Sequence, residues 1–396
     1  MTEYPVTEYD PVDPAVQADP YPIYAYLRDN RPLYHNPKIG QSGAYVLSRY
    51  EDVTAAWADY ERFSSSHGPT VELKSPQARR RSGFISMDPP EHTAMRALVS
   101  RGFTPRRVQE LEPGIREIVR GHLERVRDLP TWDFIAYANK IPMDVISELL
   151  GVPHADREEI RRLSELSLSR DQAGQVPPAA QAAHLDLRSY YASLVSDRRR
   201  RPGPDLATAL VEAQDSGNHL SDEDAVSVML LLGIAGNEST VKLLGNVWYQ
   251  GWKHPEQRRK AWKGQIAQWV EETLRYDSPG QMLARIVAKD VTLYGETVPA
   301  GSTLLLLPAS ANRDPRMFRD PDRYDLDRDT SGLTSFGRGP HFCLGASLAR
   351  LEARVLLEET VEAIPQGYEI DEPAARRLLS PTFRGFTYLP TVNPSK

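Results

Sequence analysis

The run Phe336-Gly337-Arg338-Gly339-Pro340-His341-Phe342-Cys343-Leu344-Gly345 holds the only cysteine of the chain. Leu344, Leu348, Leu351 and Val355 follow at helical spacing, so the thiol stands at the N-terminal end of a helix. Backbone N–H groups and the positive end of the helix dipole favour a thiolate there. Gly337, Gly339 and Gly345 permit tight turns and close approach of a flat group to the backbone. A thiolate with N–H donors behind it and space above it suits a metal ligand. Two other roles compete. A free cysteine is most often a small buried hydrophobe, but packing alone would not require this glycine spacing or the aromatic-Gly-x-Gly-x-His lead-in. A nucleophile needs a base, and His341 at i−2 is poorly placed to be one.

Three further groups of residues could do chemistry. Ala235-Gly236-Asn237-Glu238-Ser239-Thr240 puts an acid and two hydroxyls within one turn of an apolar helix. Gly236 costs about 1 kcal/mol in a helix interior, which calls for a compensating role, such as room for a small molecule. His92 and Arg96 lie one turn apart, a spacing that on its own reads as an ordinary exposed helix. Glu272 and Arg275 share a helix face, and such pairs are usually surface ion pairs of small worth.

The elements that must position these groups are mostly helices. Amphipathic patterns run over 105–127, 141–151, 155–168, 183–199, 205–214, 222–252, 255–276 and 344–363. Strand-like runs are fewer: 44–48, 285–293, 303–307 and 385–389. This predicts a mainly α fold with a smaller β portion. The segment after Ser221 is the strongest helix. Ser221 and Asp224 read as a capping box, Asp222 and Glu223 favour the dipole, and no proline follows until Pro255. About thirty residues give a rod of about 45 Å, apolar on nearly all sides in its middle and therefore buried.

The 396 residues, 40% of them hydrophobic, can bury a large core. A single cysteine excludes an intramolecular disulfide framework and a cysteine-based zinc site. Net charge is −6, so no global field favours nucleic acid. The clusters Arg79–Arg81 and Arg198–Arg201 read as solvated faces or loops. The N-terminal residues lack the apolar core of a signal peptide. The longest nearly apolar run, 225–236, is short for a bilayer. A cytoplasmic protein with no membrane anchor is expected.

The cysteine loop resembles the haem-binding signature of the cytochrome P-450 family, Phe-Gly-x-Gly-x-His-x-Cys-x-Gly, at every fixed position. The resemblance covers the chain from about Asp19 to its end. It implies one catalytic domain over residues 1–396 with no fused reductase. The fold would be a triangular helical prism, with haem b between the long distal helix and the cysteine-loop helix. Cys343 would be the axial thiolate ligand of the haem iron. Glu272-Thr273-Leu274-Arg275 resembles the family's Glu-x-x-Arg, and Arg323, in Pro321-Asp322-Arg323-Tyr324, would complete a buried structural network. His92, Arg96, Arg285 and His341 resemble the cations that meet the haem propionates, whose burial without them would be costly. Ala235 and Gly236 would touch the cofactor. Glu238 would feed protons and Ser239 would hold bound oxygen for protonation. The family usually has threonine where this chain has Ser239. Serine keeps the hydroxyl but loses the methyl that fixes χ1, which implies more leakage to peroxide. Thr240 would point about 100° away.

By the same resemblance, substrate contacts come from residues 65–88 and 168–182, from Leu232, and from 279–283 and 381–383. Met282, Leu283 and Phe383 would give a largely apolar wall, and 171–178 would form a lid. Electrons would come from a ferredoxin and an NAD(P)H-dependent reductase. Arg106, Arg107, Arg338, Arg350 and Arg354 would offer a basic docking face. The implied reaction is O2-dependent monooxygenation of a small, largely apolar substrate by a monomeric enzyme. Hydroxylation, epoxidation, dealkylation and oxidative coupling stay open. A peroxide-driven peroxygenase and a non-catalytic haem protein that binds a ligand are the alternatives.

Overall fold

The computed structural model describes residues 7–40, 42–71, 83–169, 176–215 and 221–394. Its centre is the helix Asp222–Lys253, 32 residues long. The Ser221 hydroxyl accepts from the Asp224 N–H at 3.1 Å, and the Ser221 N–H donates to Asp224 Oδ2 at 3.0 Å. The capping box therefore forms as the sequence implies. Ser221→Ala should cost about 1 kcal/mol, read as a lower urea midpoint.

By length and composition this helix could cross a membrane, but 67% of its apolar window is buried inside the protein. It packs against helices Lys140–Leu150, Pro178–Arg200, Ile266–Tyr276 and Ala346–Ala363. Trp248, wholly buried on it, stacks on Tyr368 at 3.6 Å and on Phe134 at 4.6 Å between ring centroids. These rings anchor the largest of the apolar clusters. A core helix of this kind is held by packing on every side rather than by propensity.

Two expected helices are split, each for a local reason. The pattern over 105–127 becomes Pro105–Glu110 and Glu112–Leu123, because Pro113 cannot donate a backbone hydrogen bond. The pattern over 255–276 becomes Pro255–Ala261 and Ile266–Tyr276, broken where Gly264 takes φ +107°. Further helices, Tyr21–Asn30 and Tyr50–Ala58, lie in the N-terminal part of the chain.

The largest sheet has five strands: β1 Leu33–Asn36, β2 Ala44–Leu47, β3 Phe63–Ser64, β4 Leu283–Val287 and β5 Thr303–Leu306. Their order is β1-β2-β5-β4-β3, and only the β2–β5 pair is parallel. The expected run 285–293 is two strands. β4 ends at Val287, and Val291–Leu293 forms a separate hairpin with Glu296–Val298. The exposed polar residues Lys289 and Asp290 separate them. The mainly α architecture with small sheets agrees with the expectation.

Candidate active site

The cysteine loop takes its shape from its glycines. Gly337 and Gly339 have φ +70° and +66°, where a side chain is strained. A Cβ on Gly337 would meet the Trp57 ring at 3.1 Å, and one on Gly339 would meet the Ala58 backbone at 3.2 Å. These glycines therefore let the loop lie flat on helix Tyr50–Ala58. Gly345 differs: a Cβ there would meet nothing within 4 Å. The Cys343 N–H donates to the Phe336 carbonyl at 2.8 Å and closes the loop.

Cys343 is exposed as a residue, while protein crowds its sulfur enough to desolvate it. Burial raises its thiol, while a Gly345 N–H hydrogen bond and the nearby Arg96 and Arg350 guanidiniums pull it down. These are the groups that would support a thiolate once a cation lies against the sulfur.

A corner of two guanidiniums and two imidazoles adjoins the cysteine. His92 and Arg96 project from helix Glu91–Ser100, Arg285 from β4, and His341 from the cysteine loop. The His92 and His341 rings are 4.1 Å apart between centroids. Arg96 Nη2 donates to the Phe342 carbonyl at 2.6 Å. Arg285 is buried, and its Nη1 donates only to its own neighbour, Ala284, at 2.8 Å. Among the described residues neither arginine has an ion-pair partner. Both ring nitrogens of His92 and Nε2 of His341 are buried without a hydrogen-bond partner. Burial, then Arg96, lowers His92 to about 4; burial, then Arg285 and His92, lowers His341 to about 3. Burial also lowers Arg285 to about 10. Orphaned donors and unpaired guanidiniums at one place fit a ligand with buried carboxylates. The residues present thus fit haem on both counts, a sulfur ligand and propionate partners.

The middle of the long helix shows a second surface. Leu231, Ile234, Ala235, Gly236, Glu238 and Ser239 are partly or fully accessible, while Leu232, Gly233, Asn237 and Thr240 are buried. Apart from Gly236, at its edge, the accessible positions recur at i, i+3, i+4, i+7 and i+8, which is one helix face. Ser239 therefore lies on this face and Thr240 does not. Ser239 Oγ donates to the Ala235 carbonyl at 3.1 Å, and Thr240 Oγ1 to the Gly236 carbonyl at 3.2 Å. Glu238 Oε1 pairs with Lys242 Nζ at 3.0 Å.

Several expectations change here. Gly236 is partly accessible, and its Cβ direction is taken by helix Lys140–Leu150: a Cβ there would meet Ile146 Cγ1 at 3.3 Å. Leu232 is on the buried flank; Leu231 and Ile234 take the accessible positions it was expected to hold. Their spacing from Ala235 and Ser239 was the available signal. Met282 is 2% exposed and packs in the N-terminal cluster with Tyr24 and Leu305 rather than lining a wall. Leu283 and Phe383 are partly buried. Residues 171–175 of the expected lid and 72–82 of the loop 65–88 fall outside the described ones.

The buried network also differs in one member. Arg275 and Glu272 are 0% and 1% exposed and bond through both oxygens at 2.8 Å. Arg323 contributes only its backbone carbonyl, 3.2 Å from Arg275 Nη2; its side chain is 68% exposed and turns to Asp325. The second guanidinium is that of Arg328, whose Nε is 3.4 Å from Glu272 Oε1. Arg275 Nη1 also donates to the carbonyls of Asn312 and Pro321. Asn312 in turn holds Thr334 and Ser335, just before the cysteine loop. The network thus clamps the chain that leads into Phe336.

Most of the docking arginines are already engaged. Arg350 is bidentate to Glu271, at 2.5 and 3.0 Å. Arg354 meets Glu112 and Glu358, Arg106 meets Glu110, and Arg338 bonds Tyr50 and the Gly332 carbonyl. Arg106, Arg350 and Arg354 are therefore paired with nearby acids, which reduces the expected free basic face, while Arg338 keeps its charge. Arg107 stays exposed.

The comparisons agree with this geometry. Residues 266–364 match the family model described as Cytochrome P450. A Mycobacterium tuberculosis protein that carries the name cytochrome P450 123 is 46% identical, over 96% of each chain. The vitamin D(3) 25-hydroxylase of Pseudonocardia autotrophica is 39% identical over 95% of this chain and 94% of its own. Among solved structures, CYP109E1 of Bacillus megaterium in complex with testosterone superposes with a TM-score of 0.88 at 30% identity, covering 96% of this chain and 99% of that one. With a thiol held in this glycine loop and identity at this level along nearly the whole chain, the protein belongs to the cytochrome P450 family, in its bacterial form.

Proposed function

We propose that the protein is a single-domain haem-thiolate monooxygenase that hydroxylates an apolar substrate, with electrons from a separate ferredoxin and its NAD(P)H-dependent reductase. Bound haem would supply the one-electron redox centre at which dioxygen is activated. Cys343 would hold its iron from the loop side, and His92, Arg96, Arg285 and His341 would take its carboxylates. The accessible face of the long helix would lie on the opposite side, with Leu231, Ile234 and Ala235 forming an apolar surface for substrate and oxygen. Glu238 would collect protons from solvent. Ser239 would pass them on, by turning its hydroxyl away from the Ala235 carbonyl, a rotation about one bond. The names of relatives support an apolar substrate of steroid or polyketide size: vitamin D(3) for one, 6-deoxyerythronolide B for a 36% identical hydroxylase of Saccharopolyspora erythraea.

The observation that carries this reading is the pairing of Glu238 and Ser239 on the accessible face, with Thr240 turned into the core. The test is turnover of a hydroxylatable substrate with ferredoxin, reductase and NADPH, compared with turnover driven by hydrogen peroxide. The reductase-driven reaction should dominate; peroxide-only turnover would establish the peroxygenase instead. Ser239→Ala should keep NADPH consumption but divert much of it to peroxide. An unchanged product yield per NADPH would remove Ser239 from the proton path.

A further inference from the structure

We propose that Lys242 is a positioning residue: it holds Glu238 in an ion pair and links that acid's release to the C-terminal loop 380–385 and the start of the strand Phe386–Tyr388. Lys242 lies one turn beyond Glu238, on the same face as Ala235 and Ser239. Its Nζ is 3.0 Å from Glu238 Oε1 and 3.2 Å from the Phe386 carbonyl. Its side chain is 7% exposed, against 18% for Glu238. A buried ammonium needs acceptors for its donors, and these two take two of its three.

The loop is built onto this lysine. A Cβ on Gly385 would lie 2.7 Å from Lys242 Cβ and 2.8 Å from its Cδ, so only glycine lets the loop backbone rest on the lysine stem. Asn246, one turn on, donates to the Arg384 carbonyl at 3.0 Å. At the other end the loop is joined to the segment before β4: Gln281 N–H donates to the Thr382 carbonyl and Arg384 N–H to the Pro279 carbonyl, each at 2.8 Å. A displacement at Phe383 is therefore passed through a short, bonded stretch to the carbonyl that shares Lys242 with Glu238.

The inference rests on the reading of Glu238 as proton carrier. While paired, Glu238 is a carboxylate with no proton to give. To work it must leave the ammonium, take a proton from solvent and hand that proton to the Ser239 side. The Phe386 carbonyl keeps Lys242 partnered when Glu238 departs. A loop drawn toward substrate strengthens one contact of Lys242 at the expense of the other and so favours release. Without Lys242, the acid would be free at all times, and proton delivery would no longer depend on the loop.

The test uses haem-loaded full-length enzyme with its electron donors. Glu238→Gln should slow product formation about 100-fold and enlarge the solvent isotope effect; wild-type behaviour there would remove the proton-carrier reading itself. Lys242→Met should lower product per NADPH severalfold, raise peroxide and alter the solvent isotope effect, with Lys242→Arg restoring all three. Amide exchange across 384–388 should quicken in Lys242→Met but not in Glu238→Gln, a readout that needs no turnover. If Lys242→Met loses haem, Lys242→Gln, which keeps a donor for the Phe386 carbonyl, gives the same comparison. An impaired Glu238→Gln beside a Lys242 variant with unchanged coupling and isotope effect would overturn the proposal and leave the proton-carrier reading standing.

Discussion

Replacing Cys343 with histidine is expected to abolish the strongly red-shifted Soret band of the reduced, carbon-monoxide-bound protein, and dioxygen-dependent turnover with it. The argument is one of charge and support. A thiolate brings a full negative charge to the iron; an imidazole is neutral. The Gly345 N–H beside the sulfur and the Arg96 and Arg350 guanidiniums nearby are suited to stabilising an anion and offer nothing to a neutral ring. The loop is closed tightly by the Cys343 N–H to Phe336 bond and by two glycines pressed on Trp57 and Ala58. It cannot retreat to make room for a longer side chain without breaking those contacts. Haem should still bind, because His92, Arg96, Arg285 and His341 are untouched. The measurement is therefore spectral: haem retained, band lost. Absence of the band in the wild type would defeat the thiolate assignment, and its survival in the variant would mean that another residue ligates the iron.

What was legible in the sequence was local. The cysteine loop, the capping box at Ser221 and the Glu272–Arg275 spacing are each written within a few residues, and the structure forms each of them. Partners chosen in three dimensions were not legible. Arg323 and Arg328 are both arginines in the same stretch beyond β5. Only the folded chain shows that Arg328 turns inward to Glu272 and Arg323 outward to Asp325. Gly236 read as space for a ligand because a helix-interior glycine calls for a reason; in the fold its Cβ direction is taken by Ile146, 90 positions earlier. Arg350 and Arg354 read as free charges because Glu271 and Glu112 are distant in sequence. Met282 failed for the opposite cause. It stands one residue before β4, where successive side chains alternate between faces, and a local apolar cluster does not say which face each one takes.

The largest loss of stability should follow Asp277→Asn, at a residue with no motif around it. Asp277 is 1% exposed and joins three distant parts of the chain. Its Oδ1 accepts from Arg384 Nε at 2.8 Å and from the Tyr21 hydroxyl at 3.1 Å; its Oδ2 accepts from Gln250 Nε2 at 2.8 Å, and Arg377 stands 4.0 Å away. Burial alone would raise this carboxyl, but Arg384, Arg377, Gln250 and Arg313 outweigh it and hold the group well below the usual carboxylate range. Asparagine keeps the shape and removes the charge, leaving buried guanidiniums uncompensated. The expected cost is about 3–5 kcal/mol at neutral pH, read from urea midpoints. The sign of the pH dependence follows from the depressed value. The stabilisation is complete above the unfolded carboxyl's pKa of about 4 and is lost as pH falls through the folded value. The gap between wild type and variant should therefore be widest near neutrality and close on acidification. A gap that is absent at neutral pH, or constant across the acid limb, would show that the carboxylate is not what holds these parts together. Because Arg384 is the member that fixes loop 380–385, amide protection in that loop should fall in Asp277→Asn before the helical core is affected.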